Sequence, residues 1–151
     1  MSSDEKVNGG CMCGAIRYEA TGQPTLVAYC HCTDCRGYTG APVVAWATFK
    51  TSNVRFTKGE RKLHESSPGI NWGFCDQCGT SLTWEGDAFG NTVIEFHISS
   101  LDNPENFVPD RHWYDCERLP WFDVADGLPR YSIFDYGGNE PTHHGPKERA
   151  E

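Results

Sequence analysis

The spacing of the cysteines constrains this chain more than any other feature. Seven of the eight fall into three short clusters: Cys11-Met12-Cys13-Gly14, Cys30-His31-Cys32-Thr33-Asp34-Cys35 and Cys75-Asp76-Gln77-Cys78-Gly79. The opening segment MSSDEKVNGG carries no apolar secretion signal. The thiols therefore read as metal ligands or reactive groups in a cytoplasmic protein rather than as a disulfide framework. A C-x-x-C turn closed by glycine lets the backbone fold tightly, with amide N–H groups turned toward the sulfurs. Joined to a C-x-C pair elsewhere, it completes the four thiolates of a closed tetrahedral zinc. The expectation is that Cys11, Cys13, Cys75 and Cys78 form this structural site and tie the N-terminal strand to a central hairpin.

The middle cluster supplies three sulfurs within six residues. Cys30 and Cys32 share one face of a strand, and the turn after them can bring Cys35 round beneath. Three protein ligands leave a fourth position for water or substrate, as in catalytic zinc sites. Two zinc ions per chain are therefore expected, the second at Cys30, Cys32 and Cys35. On spacing alone, another partition of the seven sulfurs, or one zinc with three bystander thiols, stays open. Three thiolates already donate charge to the metal, so such a zinc is a poor generator of hydroxide. It suits a soft sulfur ligand from a substrate, which it would keep as thiolate at neutral pH. Chemistry at a carbon–sulfur bond follows.

Composition narrows the rest. The chain has 151 residues, 38% of them hydrophobic and 23% charged, with 16 glycines, 9 prolines and 13% aromatics. That bias points to a mainly β domain of short strands and turns. The formal charge of −8 comes without a Lys/Arg cluster, which argues against nucleic acid as partner. No apolar run approaches the roughly 18 residues needed to span a bilayer.

Strands are expected over 15–20, 27–32, 42–49, 54–57, 62–65, 71–74, 80–84 and 92–99, with short extended pieces at 112–114 and 119–122. A tight or single helical turn is expected at 33–40, and one helical turn at 102–107. The reading is one antiparallel domain over 7–137, with flexible tails at 1–6 and 138–151 and a polar tail up to Val7.

Among the other residues, His31 faces away from the sulfurs beside it and takes a packing or supporting role. His97 reads as a core or cleft residue, while His64 and His112 fit either surface or cleft. His143 and His144 fall in the tail. Cys116, beside Asp115 and Glu117, reads as an inert thiol because acidic neighbours raise a thiol's pKa. Of Trp46, Trp72, Trp84, Trp113 and Trp121 most are expected in the core and one or two in the lining of a pocket, Trp121 first among them.

The pieces GGCMCGAIRYEA, YCHCTDCRG, FCDQCGTSL and WFDVADGLPRY span residues 9–131. In them the chain resembles the glutathione-dependent formaldehyde-activating enzyme family, also described through centromere protein V. The resemblance implies a β-tent fold holding two zinc ions, with Cys11, Cys13, Cys75 and Cys78 on the structural ion and Cys30, Cys32 and Cys35 on the catalytic one. It implies addition of glutathione to formaldehyde, giving S-hydroxymethylglutathione, a carbon–sulfur lyase reaction in reverse. Such proteins often place a basic residue after the Cys-Arg pair, where this chain has Gly37-Tyr38, so Arg36 is the group left to meet a glutathione carboxylate. Two other readings compete: a non-catalytic zinc-binding scaffold or interaction module, and a redox sensor built on Cys30, Cys32 and Cys35. Oligomeric state does not follow from the sequence.

Overall fold

The computed structural model describes residues 4–88, 90–134 and 140–146. The expected domain edge at 137/138, and the tail residues 1–3, 138–139 and 147–151, lie outside the described residues. The first strands are β1 (Lys6–Gly10), β2 (Arg17–Thr21), β3 (Leu26–Cys30) and β4 (Val44–Lys50), with helix α1 (Thr33–Thr39) between β3 and β4. Then come β5 (Val54–Lys58), β6 (Lys62–Ser67), β7 (Ile70–Phe74), β8 (Ser81–Ala88) and β9 (Asn91–His97). Short strands β10 (His112–Trp113), β11 (Pro129–Arg130) and β12 (His143–His144) follow. The protein is mainly β, with antiparallel and parallel pairings.

The chain forms two compact units, one of residues 1–26 and 46–107, the other of 27–45 and 108–151. In the first, β1 pairs antiparallel with β2 and β2 with β5, while β4, β9, β8, β7 and β6 form an antiparallel succession. Alternation drives β2: Tyr18 and Ala20 are buried between half-buried Arg17, Glu19 and Thr21. β4 is instead buried continuously from Trp46 to Phe49, as a strand covered on both faces must be. The core centres on Phe96, stacked on Tyr18 at 3.8 Å between centroids and met edge-on by Phe49 at 6.3 Å.

In the second unit, β10 lies parallel to β3, with His112 opposite Tyr29 and Trp113 opposite Cys30. β11 runs parallel to β10 and pairs antiparallel with β12. Side chains alternate across a strand, so Tyr29, His31 and His112 share one face, and Cys30 and Trp113 the other. Helix α1 starts directly after β3 and is capped by Cys32; it ends at Gly40 in the left-handed conformation, φ 69°.

Four sequence expectations change. Lys6–Gly10, read as polar tail as far as Val7, is strand β1. Thr33–Thr39 is a seven-residue helix rather than a single turn. Residues 119–122 form a turn, not an extended piece. His143–His144, placed in a flexible tail, pairs with β11 as β12, where Thr142 donates its backbone N–H to the Arg130 carbonyl at 2.7 Å. No helix among the described residues is long and apolar enough to cross a membrane.

Candidate metal centres

Two turns of the first unit bring four cysteines together. One follows β1 and carries Cys11 and Cys13; the other joins β7 to β8 and carries Cys75 and Cys78. Both close the same way: Gly14 donates its N–H to the Cys11 carbonyl (3.0 Å) and Gly79 to the Cys75 carbonyl (2.8 Å). Each glycine has φ of 76°, a left-handed conformation that a side chain resists. Thr80 fastens one turn to the other, its hydroxyl oxygen accepting the Met12 N–H at 3.1 Å. The same hydroxyl lies 3.1 Å from Cys78 Sγ. With its oxygen accepting from Met12, its hydrogen is free to face the sulfur. That bond, first among several, pulls the Cys78 thiol down to about 6.

The four sulfurs lie within 4.8 Å of one another. Zinc–sulfur bonds of about 2.3 Å require tetrahedral edges of about 3.8 Å. The Cys11–Cys13 and Cys13–Cys75 sulfur separations are 3.5 and 3.8 Å. The backbone N–H of Ile16 also donates to Cys11 Sγ at 3.2 Å. Spacing and donor set both fit a tetrahedral thiolate metal.

In the second unit, Cys30 ends β3, Cys32 caps α1 and Cys35 sits in its first turn, with all three sulfurs within 4.8 Å. Cys30 and Cys35 are buried and Cys32 is half-buried. The Cys30 and Cys35 thiols, with the N–H groups of Cys35 and Asp34, hold the Cys32 thiol down at about 3. Its own sulfur neighbours, Cys32 and Cys35, together with burial push Cys30 well above its usual value. A divalent metal is what three close thiolates fit. No fourth His, Cys, Asp or Glu joins this group among the described residues.

The segment bearing these sulfurs is clamped onto residues 112–118. His31 N–H donates to the Trp113 carbonyl at 3.0 Å. Glu117 accepts the Thr33 N–H at 2.5 Å. Arg36 Nε donates to the His31 carbonyl at 3.1 Å, and its Nη2 to the Glu117 carbonyl at 3.2 Å and to Thr33 Oγ1 at 3.3 Å. Arg36, the residue left to meet a substrate carboxylate, is thus engaged by its own chain. Trp121, expected to line a pocket, is 71% exposed. Cys116 is an exposed thiol at the surface.

A buried polar chain lies beside this segment. His31 and His112 are both 0% exposed, and His31 Nε2 lies 2.8 Å from His112 Nδ1. His112 Nε2 lies 3.0 Å from Asp126 Oδ2. Arg130, also fully buried, donates to Asp126 Oδ1 at 3.0 Å and to Asp123 Oδ1 at 3.1 Å. Burial pushes His31 down to about 4, and the neighbouring His112 adds to the effect. Burial opposes ionisation of Asp126 too, yet the bonds from His112, the Leu128 N–H and Arg130 keep its carboxyl below the usual range. The supporting role expected of His31 fits this chain, His112 lies in the interior rather than at the surface, and Asp126 and Arg130 are further members that no sequence motif marks. Both lie within the WFDVADGLPRY segment, whose paired charges in an otherwise apolar stretch were the available signal.

A family model described as glutathione-dependent formaldehyde-activating enzyme matches residues 6–117. An uncharacterized lyase of Schizosaccharomyces pombe is 31% identical over 127 residues, which cover 83% of this chain and 90% of that protein. A crystal structure of a Rhodobacter sphaeroides protein matches with a TM-score of 0.50 and 23% identity, covering 66% of this chain and 93% of the other. That last likeness concerns the fold alone.

Proposed function

The chain belongs to the glutathione-dependent formaldehyde-activating enzyme family, and from that premise we propose that it is a zinc-dependent carbon–sulfur lyase or synthase. Its substrate is a small thiol adduct such as S-(hydroxymethyl)glutathione, made from glutathione and formaldehyde in a reducing, cytoplasmic setting. Residues 7–137 form the zinc-stapled, β-tent-like domain. Cys11, Cys13, Cys75 and Cys78 hold a structural ion, and Cys30, Cys32 and Cys35 hold the ion at which the reaction occurs.

The observation that carries this reading is the difference between the two clusters: four sulfurs in one and three in the other, with no fourth His, Cys, Asp or Glu ligand among the described residues. When bound at the trio, zinc supplies affinity for a soft sulfur and keeps a substrate thiol ionised near neutral pH. The protein's part is to hold three sulfurs in a fixed array and to leave one side of it accessible; Cys32, half-buried, marks that side. In the synthetic direction one carbon–sulfur bond forms, the carbonyl π bond breaks, and the proton lost by the thiol ends on the new hydroxyl. No protein nucleophile is consumed, and no oxidant or reductant is needed.

The test is exchange spectroscopy on carbon-13 formaldehyde and glutathione, with and without protein that carries two zinc ions per chain. Faster exchange between free formaldehyde and the hydroxymethyl thioether supports the proposal. An unchanged rate with glutathione and with other small thiols would leave the zinc-binding scaffold as the better reading.

A further inference from the structure

The chain from His31 through His112 to Asp126 has a fixed direction, and Arg130 donates to the same carboxylate from its other side. A carboxylate can only accept hydrogen bonds, so Asp126 Oδ2 obliges His112 to carry hydrogen on Nε2, 3.0 Å away. The Nδ1 of a neutral His112 is then an acceptor, and His31 must donate to it from Nε2 across 2.8 Å. That leaves His31 Nδ1 bare, and this buried atom has no hydrogen-bond partner among the described residues. His31 joins Cys30 to Cys32 through its own two peptide bonds. Whatever fixes its ring fixes the backbone between two of the three sulfurs.

We propose that Asp126 and His112 are positioning residues for the Cys30–Cys32–Cys35 metal site, holding His31, and with it the separation of the flanking sulfurs, through a one-directional hydrogen-bond chain. This rests on the reading of that trio as the open metal site. The chain acts before any ligand arrives: with the ring anchored, metal binding need not also order the turn. Partners bonded directly to a metal ligand typically carry a ten- to hundredfold effect on affinity, and an effect relayed through His31 belongs at the lower end of that range.

The substitution Asp126→Asn tests direction with little change of shape. Arg130 Nη1 and the Leu128 N–H both donate to Oδ1 at 3.0 Å. The amide oxygen must therefore occupy that position, and the amide NH2 is turned toward His112 Nε2. Both histidine bonds then reverse, while Arg130 still donates to the side-chain oxygen. Long-range proton–nitrogen-15 spectra of the zinc-loaded full-length protein should show His31 and His112 protonated on Nε2 in the wild type and on Nδ1 in Asp126→Asn.

Zinc affinity at the second site, read by competition with a chromophoric chelator, should fall about tenfold while the first site is unchanged. Asp126→Glu, which restores an acceptor, should return the Nε2 pattern and part of the affinity. A merely space-filling role predicts no tautomer change and no rescue. The proposal is overturned if wild-type His31 carries its hydrogen on Nδ1, which needs no variant to measure. It is equally overturned if the tautomers reverse with no loss of second-site affinity. Wild-type protein that holds one zinc ion would instead refute the open metal site itself, whatever the tautomers.

Discussion

The sulfur of Cys32 accepts the backbone N–H of Cys35 at 3.2 Å, so one member of the sulfur trio is also the N-terminal cap of helix α1. The two roles ask for different chemistry: the cap needs any short acceptor, whereas zinc in a thiolate site needs a soft anion. They can be separated.

Cys32→Ser should separate them. Serine is among the best N-cap residues, so the stability of metal-free protein should change by less than about 1 kcal/mol. Zinc content should fall from two ions per chain to one, and turnover to the uncatalysed rate. Metal analysis by mass spectrometry beside urea unfolding of the apo-protein checks both halves. Retention of both ions with normal turnover would remove the trio from the reaction.

Thr80 offers a second prediction, at the other cluster. Its hydroxyl accepts the Met12 N–H and faces Cys78 Sγ, linking the two cysteine turns. Thr80→Val keeps the shape, removes the acceptor that ties the Met12 N–H to the second turn and removes the interaction that pulls Cys78 down to about 6. Zinc would then have to displace a more tightly held proton. First-site affinity at pH 7 should drop roughly tenfold, with the loss shrinking as pH rises. Chelator competition at pH 7 and pH 9 reads it, and a loss independent of pH would show that the link is only mechanical.

The cysteine clusters were legible in the sequence because their chemistry is local. One or two residues lie between neighbouring cysteines in each cluster, and the closing Gly14 and Gly79 mark two of the turns. The ligand count of zinc favours pairing the first turn with the third but leaves other partitions open, and it is the fold that brings those four sulfurs within 4.8 Å of one another. The His31–His112 contact joins residues 81 apart in sequence, and no local pattern encodes it. Asp126 and Arg130 look like ordinary loop charges until the fold buries the arginine. β1 was missed for a related reason. Its Gly9 and Gly10 have poor strand propensity, and they are tolerated because the chain must pass close to its neighbours there, as Tyr18 and Ser100 show.

Gly9 makes that argument testable. A Cβ built on it would stand inside contact distance of the Tyr18 hydroxyl and 2.6 Å from the Ser100 carbonyl oxygen. Tyr18 cannot swing away, since its ring is stacked on Phe96 and its hydroxyl is bonded to Ser100 Oγ at 2.5 Å. Gly9→Ala, mild by composition, should therefore cost about 1–3 kcal/mol of stability through overpacking. Chemical denaturation would show it as a lower midpoint with an unchanged slope. A neutral or stabilising outcome would mean that β1 shifts freely off Tyr18.

The last prediction concerns pH. Burial pushes His97 down to about 4, against 6.5 for an unburied imidazole. Because the folded value is depressed, the unfolded chain binds the extra proton first as pH falls. The neutral ring's contribution is thus intact above pH 6.5 and is lost progressively toward pH 4. A shift of that size corresponds to at most about 3 kcal/mol. The Trp46 ring, 4.1 Å away between centroids, would lower the cost by meeting an imidazolium with its π face. His97→Asn lacks a titrating group, so its stability should decline less than the wild type's between pH 7 and pH 4.5. Acid also protonates zinc-bound thiolates, but it does so in both proteins, and the difference between the two curves isolates His97. Urea midpoints measured in parallel across that range decide it: parallel curves would mean that His97 gains its proton as readily in the folded protein as in the unfolded chain.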